Sequence, residues 1–504
     1  MNNRVNIAIF LAFVVMVLYL IRDFWDGWLV WMFSFLFAIS IVLIAIVISL
    51  ENRNPTKTLT WLIVLAVFPV LGFILYLMLG QNTRKQRSFK KKAILDEQAF
   101  ETIEGNRFVD EDKLKQLGSD NFRLFRLAQR LSNTSISFAT ETKILTDGKE
   151  TFAHILQGLK MAQDHIHLEY YIVRDDGIGQ QIKQILTEKA KSGIEVRFLY
   201  DAVGSWKLSK SYIREMRDAG VEMVPFSPVK LPFLNNKINY RNHRKIIVID
   251  GHIAFVGGLN IGDEYLGKHR YFGYWRDTHM YVRGEAVRTL QLIFLRDWYY
   301  ATKEAILKPK YLSPVLVEQK KENGGVQMIA SGPDTRWEVI KKLFFAMITS
   351  AKRSIWIASP YFIPDEDILS ALKIAALSGI DVRLLVPSRP DKKIVFYASR
   401  SYFPELLEAG VKIYEYQRGF MHSKIIIVDN EYASIGTANM DMRSFHLNFE
   451  VNAFLYRTRS VTQLVSDFIF DIEHSHQMNP EVFLKRPITQ RLIESTARLL
   501  SPLL

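Results

Sequence analysis

A chain of 504 residues, 49% of them hydrophobic, is long enough for a membrane region followed by two folded halves. It contains no cysteine, which excludes a disulfide framework, a thiol nucleophile and a cysteine metal site. The 65 Lys and Arg against 52 Asp and Glu leave a net charge of +13, which suits nucleic acid or anionic lipid and does not separate the two.

The N-terminus separates them. Residues 5–21 are uncharged but would give only about 26 Å of helix, against a hydrocarbon core of about 30 Å. Residues 28–50 are long enough to span and begin with Trp28 and Trp31 as interface anchors. Residues 59–79 are also long enough, and Pro69 and Gly72 are tolerable inside a membrane helix. A secretory signal is the rival reading for the first segment. It lacks a small-residue cleavage site before Arg22 and is followed by two further apolar segments. The expectation is two or three retained membrane helices within residues 1–80.

The cluster Arg84, Lys85, Arg87, Lys90, Lys91 and Lys92 lies just past the last segment. By the positive-inside rule it puts the following chain in the cytoplasm, and it is drawn to anionic headgroups. Residues 81–130 read as this basic segment, a polar connector and an entry helix.

The soluble part then reads as strands alternating with helices, in two halves at 131–310 and 311–504. In the first, a strand at 143–145, a turn at 146–148, a helix at 151–164, a strand at 166–173, a helix at 178–191 and a strand at 196–200 follow in turn. The second repeats the order with segments 326–330, 337–350, 355–363, 367–377 and 382–386. Ser192-Gly193-Ile194 answers Ser378-Gly379-Ile380, and Ala219-Gly220-Val221 answers Ala409-Gly410-Val411. Such alternation implies mainly parallel or mixed sheets layered with helices, the halves meeting along one site and crossing over at about 305–325. Helices at 461–476 and 488–499 close the chain.

One half-site is written twice. His243-x-Lys245-x4-Asp250 recurs as His422-x-Lys424-x4-Asp429, and Gly257-Gly258-Leu259-Asn260 recurs downstream as Gly436-Thr437-Ala438-Asn439. The runs 246–249 and 425–428 are short, β-branched and bounded by polar residues, as strands covered on both faces are. Side chains alternate along a strand, so His243 shares a face with Lys245, and His422 with Lys424. Each Asp lies an odd number of residues from its His. It therefore points away or sits past the strand end, in a supporting role such as an ion pair that fixes the backbone.

Lysine offers a positive charge to phosphate oxygens, and histidine attacks, donates or accepts protons near neutrality. Asn260 and Asn439 supply neutral donors to the same oxygens. Displacement at phosphorus needs a nucleophile on one side and a proton donor to the leaving oxygen on the other, and two facing half-sites provide both. One copy alone reads equally as a core histidine beside a surface lysine. Two copies with the same downstream spacing do not.

The doubled His-x-Lys-x4-Asp with its Gly-x-x-Asn resembles the phospholipase D superfamily. Tyr274-Trp275-Arg276-Asp277-Thr278-His279, the stretch from Asn439 through Phe445, and Asn448-Phe449-Glu450-Val451-Asn452 look like the bacterial cardiolipin synthases of that superfamily. Asn54-Pro55-Thr56-Lys57-Thr58 resembles their membrane region, so the likeness covers nearly the whole chain. It implies two phospholipase D-like α/β/α halves forming one active site. It also implies an integral enzyme of the bacterial cell membrane that joins two phosphatidylglycerols into cardiolipin and releases glycerol through a phosphatidyl-histidine. No cofactor, metal or nucleic acid is implied. In the family, acids at places comparable to Asp277 and Glu450 contact the two histidines; a surface salt bridge to Arg276 or Arg443 is the plainer alternative. The resemblance favours His243 as nucleophile and His422 as acid and base, and the near-symmetry of the motifs leaves the reverse open. Hydrolysis by the same chemistry, or a catalytically silent membrane scaffold, are the other classes. The apolar, proline-punctuated stretch 224–234 reads as a loop that packs on its own domain or dips into the bilayer.

The basic cluster carries a direct test. Single cysteines introduced beyond residue 100 are expected to resist an impermeant thiol reagent in intact cells, and ready labelling there would reverse the topology.

Overall fold

The computed structural model describes residues 119–228, 239–315, 324–335 and 337–504, with isolated positions between 31 and 72. The basic cluster, most of the connector, residues 229–234 of the proline-punctuated stretch, and 316–323 of the crossover lie outside the described residues, as do residues 5–21 and most of 28–50 and 59–79. The described positions in the latter two are helical, and Trp31, Phe35, Val42 and Ile63 expose more than half of their surface. Among the described residues, no helix is long and apolar enough to cross a membrane. The chain divides at Arg84 into two compact units.

The larger unit holds two sheets built to one plan. The first half contributes β1 (Thr140–Thr146), β2 (His165–Tyr170), β3 (Glu195–Asp201), β4 (Glu222–Phe226), β5 (Ile246–Ile249), β6 (Ile253–Gly257), β7 (Tyr274–Arg276) and β8 (Thr278–Gly284). The second contributes β9 (Gly325–Ser331), β10 (Ser354–Ala358), β11 (Phe362–Ile363), β12 (Asp381–Pro387), β13 (Lys412–Tyr416), β14 (Gly419–Met421), β15 (Ile425–Val428), β16 (Tyr432–Gly436), β17 (Met440–Asp441), β18 (Glu450–Tyr456) and β19 (Ser475–Gln477). The first sheet runs β1-β8-β6-β5-β2-β3-β4, and the second runs β9-β18-β16-β15-β10-β12-β13 with β19 added at its edge. Strand pairs match in direction as well: β2/β3 and β10/β12 are parallel, β2/β5 and β10/β15 antiparallel.

The repeat is visible in its turns. Gly193 and Gly379 take φ of 90° and 89°, and Gly220 and Gly410 take 95° and 94°. Each ends a helix in the left-handed conformation that favours glycine, with the next residue's N–H closing the turn onto a carbonyl inside the helix, as from Ile194 to Lys189 and from Ile380 to Ala375.

β5 and β15 sit in the middle of their sheets and are buried throughout, as their unbroken β-branched runs require. Several readings change, among them the helix expected at 151–164, which runs Gly148–Met161 because the Asp147 side chain caps it three residues earlier. The strand expected at 166–173 ends at Tyr170, and that at 355–363 breaks after Ala358, because both chains bend away at the edge of the site. The helix expected from 337 begins at Val339. The helix expected at 461–476 runs Arg459–Glu473, and residues 475–477 instead pair with β13, which would otherwise be the sheet edge. The helix Ser119–Ser132, in the connector, buries Leu124, Phe125 and Ala128 in the core of the second half.

Asp250 and Asp429 lie just past the ends of β5 and β15. They fix the backbone, but through amides rather than an ion pair. The Asp250 carboxylate accepts from the N–H groups of Gln163, Asp164 and His165 at 2.8–2.9 Å. Asp429 does the same for Lys352, Arg353 and Ser354 at 2.7–2.9 Å. Both adopt positive φ, 54° and 56°, which Asp tolerates better than most residues. Replacing either by Ala leaves three amides without their acceptor. It should lower unfolding stability by about 2–3 kcal/mol; a loss under about 0.5 kcal/mol in chemical denaturation would contradict this role.

Candidate active site

The two histidines stand three residues ahead of β5 and β15, in the segments leading into those strands, where the halves meet. Each is held by the other half's backbone. The His243 N–H donates to the Phe449 carbonyl at 2.9 Å, and the Phe449 N–H donates to the Arg241 carbonyl at 2.9 Å. The His422 N–H donates to the Arg276 carbonyl at 2.7 Å, continuing the parallel pairing of β14 with β7.

Side chains cross in the same way. Nδ1 of His243 lies 2.9 and 3.0 Å from the two oxygens of Glu450, and Nδ1 of His422 lies 2.6 Å from Asp277 Oδ2. Each carboxylate therefore orients the histidine of the opposite half. A carboxylate at Nδ1 fixes the tautomer with the proton there and turns the Nε2 lone pair outward. The Lys424 ammonium also lies 2.9 Å from His422 Nδ1. A protonated Nδ1 cannot accept, so this lysine's hydrogen bond goes to the His422 carbonyl. Lys245 likewise donates to the His243 carbonyl at 2.6 Å.

Burial sets the protonation states. It pushes His243 and His422 down to about 4 against the pull of Glu450 and Asp277, and the adjacent lysines add to the depression. Burial brings Lys245 to about 7 and Lys424 to about 8, although the same carboxylates favour their charge. Burial would raise the two acids, but His243 and Lys245 outweigh it and hold Glu450 at about 2, while Lys424 and His422 hold Asp277 below the usual carboxylate value. At neutral pH these groups are two neutral imidazoles, two carboxylates and two lysines near their titration points.

Each carboxylate has its own fixture. The Thr437 hydroxyl donates to Glu450 at 2.5 Å and Asn448 Nδ2 donates at 3.1 Å. Asp277 accepts the Thr278 N–H at 2.7 Å. Gly258 stands where Thr437 stands in the other half, and a Cβ on it would lie 2.0 Å from Asp277 Oδ1. Buried arginines clamp the acids' backbones. Arg244 Nε donates to the Glu450 carbonyl and Arg276 donates to the Asp277 carbonyl. Their partners are Asp297 and Asp471, the latter through two contacts of 2.9 and 2.8 Å.

Asn260 and Asn439 are both buried. Asn260 accepts the Ile172 N–H at 3.1 Å and donates to the Tyr265 hydroxyl at 3.0 Å, leaving one N–H of its amide. Through Ile172 it fixes the adjacent Tyr171, whose ring lies 4.9 Å from the His243 ring and 5.4 Å from Lys245 Nζ. The Trp275 ring, contributed by the opposite half, lies 5.1 Å from the His422 ring. Asn439 lies beside Asp441, and its side-chain oxygen has no hydrogen-bond partner among the described residues. The alternative of surface salt bridges for Asp277 and Glu450 does not occur, since both acids are fully buried.

Tyr171, Trp275, Thr437, Asn448, Asp297 and Asp471 were not found from sequence. The Gly258/Thr437 mismatch within the repeat was a signal for one of them. Asp471 gave none, being 195 residues from Arg276. Among the described residues, no group of three or more His, Asp and Glu is arranged to hold a metal.

Comparison with known proteins identifies the family. Residues 155–298 and 344–472 match the family described as cardiolipin synthase, PLD-like domain, and residues 38–81 match a phospholipase D-nuclease N-terminal family. A cardiolipin synthase of Halalkalibacterium halodurans is 73% identical over 504 residues, covering 100% of both chains. One from Geobacillus kaustophilus is 62% identical with the same coverage. Among solved structures, a phosphatidylserine synthase of Haemophilus influenzae shares the fold, with a TM-score of 0.55 at 14% identity, covering 76% of this chain and 100% of that one. The chain belongs to the phospholipase D superfamily, in the family of bacterial cardiolipin synthases.

Proposed function

We infer that this protein is a phosphatidyltransferase that makes cardiolipin and glycerol from two phosphatidylglycerols. The observation that carries the chemistry is the pair of neutral, carboxylate-oriented histidines, each with a lysine, built reciprocally from both halves. The identity of the lipid follows from relatives that match end to end.

His243 Nε2 attacks the phosphorus of the first phosphatidylglycerol. The bond to the glycerol oxygen breaks, and His422, which takes up a proton at Nε2 when the anionic substrate binds, gives that proton to the oxygen. The resulting phosphatidyl-histidine is then attacked by a headgroup hydroxyl of a second phosphatidylglycerol, whose proton returns to His422. Lys245, Lys424, Asn260 and Asn439 hold the phosphoryl oxygens. Glu450 and Asp277 stabilise the imidazolium forms without taking the proton. One phosphodiester replaces another, so no nucleotide donor enters. Water must be excluded, or the intermediate hydrolyses.

The finer reading puts two or three membrane helices within residues 1–80, a basic juxtamembrane segment at 81–130, and catalytic halves at 131–310 and 311–504 on the cytoplasmic side. The solvent-facing Trp31, Phe35 and Val42 of the described helical positions and the match of residues 38–81 support it.

Two outcomes are expected. With His422→Ala and a substrate whose leaving group needs no proton, an acid-labile phosphatidyl adduct should accumulate on residue 243. His243→Ala should give none. An adduct on residue 422 in His243→Ala, located by mass spectrometry, reverses the roles. Failure to trap any adduct, with inversion at a chiral phosphorus, replaces the two-step path by direct displacement, and release of glycerol with phosphatidic acid in place of cardiolipin would mark a hydrolase.

The second concerns protons. An anionic phosphodiester favours charged lysines and an imidazolium, so its binding raises their pKa values and takes up protons. Affinity for a non-hydrolysable phosphodiester analogue should be greatest below about pH 7 and fall as pH rises through 7–8, where Lys245 and Lys424 lose charge. Calorimetry in buffers of different ionisation enthalpy should register net proton uptake near pH 8. Constant affinity from pH 6 to 9 would rule this out.

A further inference from the structure

The helix Ile488–Arg498 is packed with its amphipathicity reversed. Its inward face carries Glu494, which is 1% exposed and held by Arg486 Nε at 2.8 Å and by Gln490 at 3.1 Å. Its outward face carries Ile488, Leu492 and Leu499, exposed by 78%, 68% and 80%, with Ser495 on the same stripe. Spacings of four, three and four residues put these positions on one side of a helix. Val482, 71% exposed, extends the stripe onto the short helix Pro480–Leu484, while Phe483 beside it is buried and pins that helix down.

A soluble surface helix does the opposite. The ion pair of Glu494 with Arg486 blocks rotation of the apolar side inward, because turning it would drag a paired carboxylate through an apolar core.

We propose that this face docks onto the anionic surface of the bilayer that holds the lipid substrate. Charge and composition favour lipid over a protein partner. Lys485 and Arg491 are exposed beside the stripe and make no ion pair among the described residues, whereas Arg498 is engaged with Glu405. Glu481 lies at the far end of the short helix, and besides the buried Glu494 the acids that share a cavity with Arg491 and Ser495 are Glu405, paired with Lys373 and Arg498, and the exposed Glu408. The stripe is aliphatic, without the Tyr and Trp that enrich protein interfaces. Aliphatic side chains enter the acyl boundary while Lys and Arg reach up to phosphates.

The face also leads toward the site. Helix Lys393–Arg400 shares a groove with helix Ile488–Arg498, lined by Phe396, Tyr397 and Ile493. At its other end Lys392, Lys393 and Ile394 are exposed next to Asp391, which hydrogen-bonds Tyr361 and acts electrostatically on His422. Docking this face on the bilayer brings an anionic lipid to the mouth of the site.

The inference rests on the phospholipid reading above but is tested separately from it. In the cysteine-free full-length chain, Ser495→Cys and, independently, Leu499→Cys carry an environment-sensitive fluorophore. The protein is reconstituted into vesicles of phosphatidylcholine with or without phosphatidylglycerol. Acyl-chain-brominated lipids should quench both probes, more strongly when phosphatidylglycerol is present, and Lys485→Gln with Arg491→Gln should weaken that dependence. Leu492→Asn should lower activity on bilayers by roughly tenfold, on the scale of one lost aliphatic insertion. It should spare activity on monomeric short-chain phosphatidylglycerol. Probes that stay blind to brominated lipid in an active enzyme overturn the docking and leave the function standing. Self-quenching that follows protein density instead of bromination assigns the face to a second copy and overturns it too.

Discussion

The constraint on which the site depends is the exchange of carboxylates between halves. Glu450 orients His243 and Asp277 orients His422, and backbone pairing follows the same crossing, with β14 on β7 and His243 on Phe449. Neither half alone can present a histidine with a fixed tautomer. The two-histidine chemistry and the interface between halves are therefore one structure, and a shift of either half would lengthen both hydrogen bonds at once.

Holding so many charges out of water is costly, and the surroundings show how the cost is met. Asp277 and Glu450 are fully buried, and each has its carbonyl clamped by a buried arginine that is itself paired with an aspartate, Arg276 with Asp471 and Arg244 with Asp297. Losing one partner of such a pair costs about 3–5 kcal/mol, since the other stays buried and unpaired. The same desolvation pulls the lysines down toward neutrality. In a site of this kind each charged lysine acts through a low dielectric and attracts an anion more strongly than in water, and the arriving phosphate in turn favours the charged form that burial had weakened.

The two half-sites are alike in plan and unlike in fittings. Asp277 fits only because residue 258 is glycine, whereas the longer Glu450 is met by the Thr437 hydroxyl. Tyr171 packs on His243 and Trp275 on His422. A reaction in which one histidine attacks and the other moves protons asks different things of each side. These differences are where a nearly symmetric fold can assign different duties.

Much of this was legible in the chain. The doubled His-x-Lys-x4-Asp with Gly-x-x-Asn, the β-branched runs at 246–249 and 425–428, and the echoing glycines 193/379 and 220/410 are local patterns. Local patterns determine strand burial, helix ends and which residues share a face. The family likeness added Asp277 and Glu450. The tertiary structure alone decided that these acids serve the opposite half, that Asp250 and Asp429 bind amides rather than cations, and that residues 475–477 close a sheet edge. It alone turned the apolar side of helix Ile488–Arg498 outward, since hydrophobic periodicity gives the angle between two faces and not which one meets the core. Contacts such as Arg276 with Asp471 join residues 195 apart, and no short-range spacing encodes them.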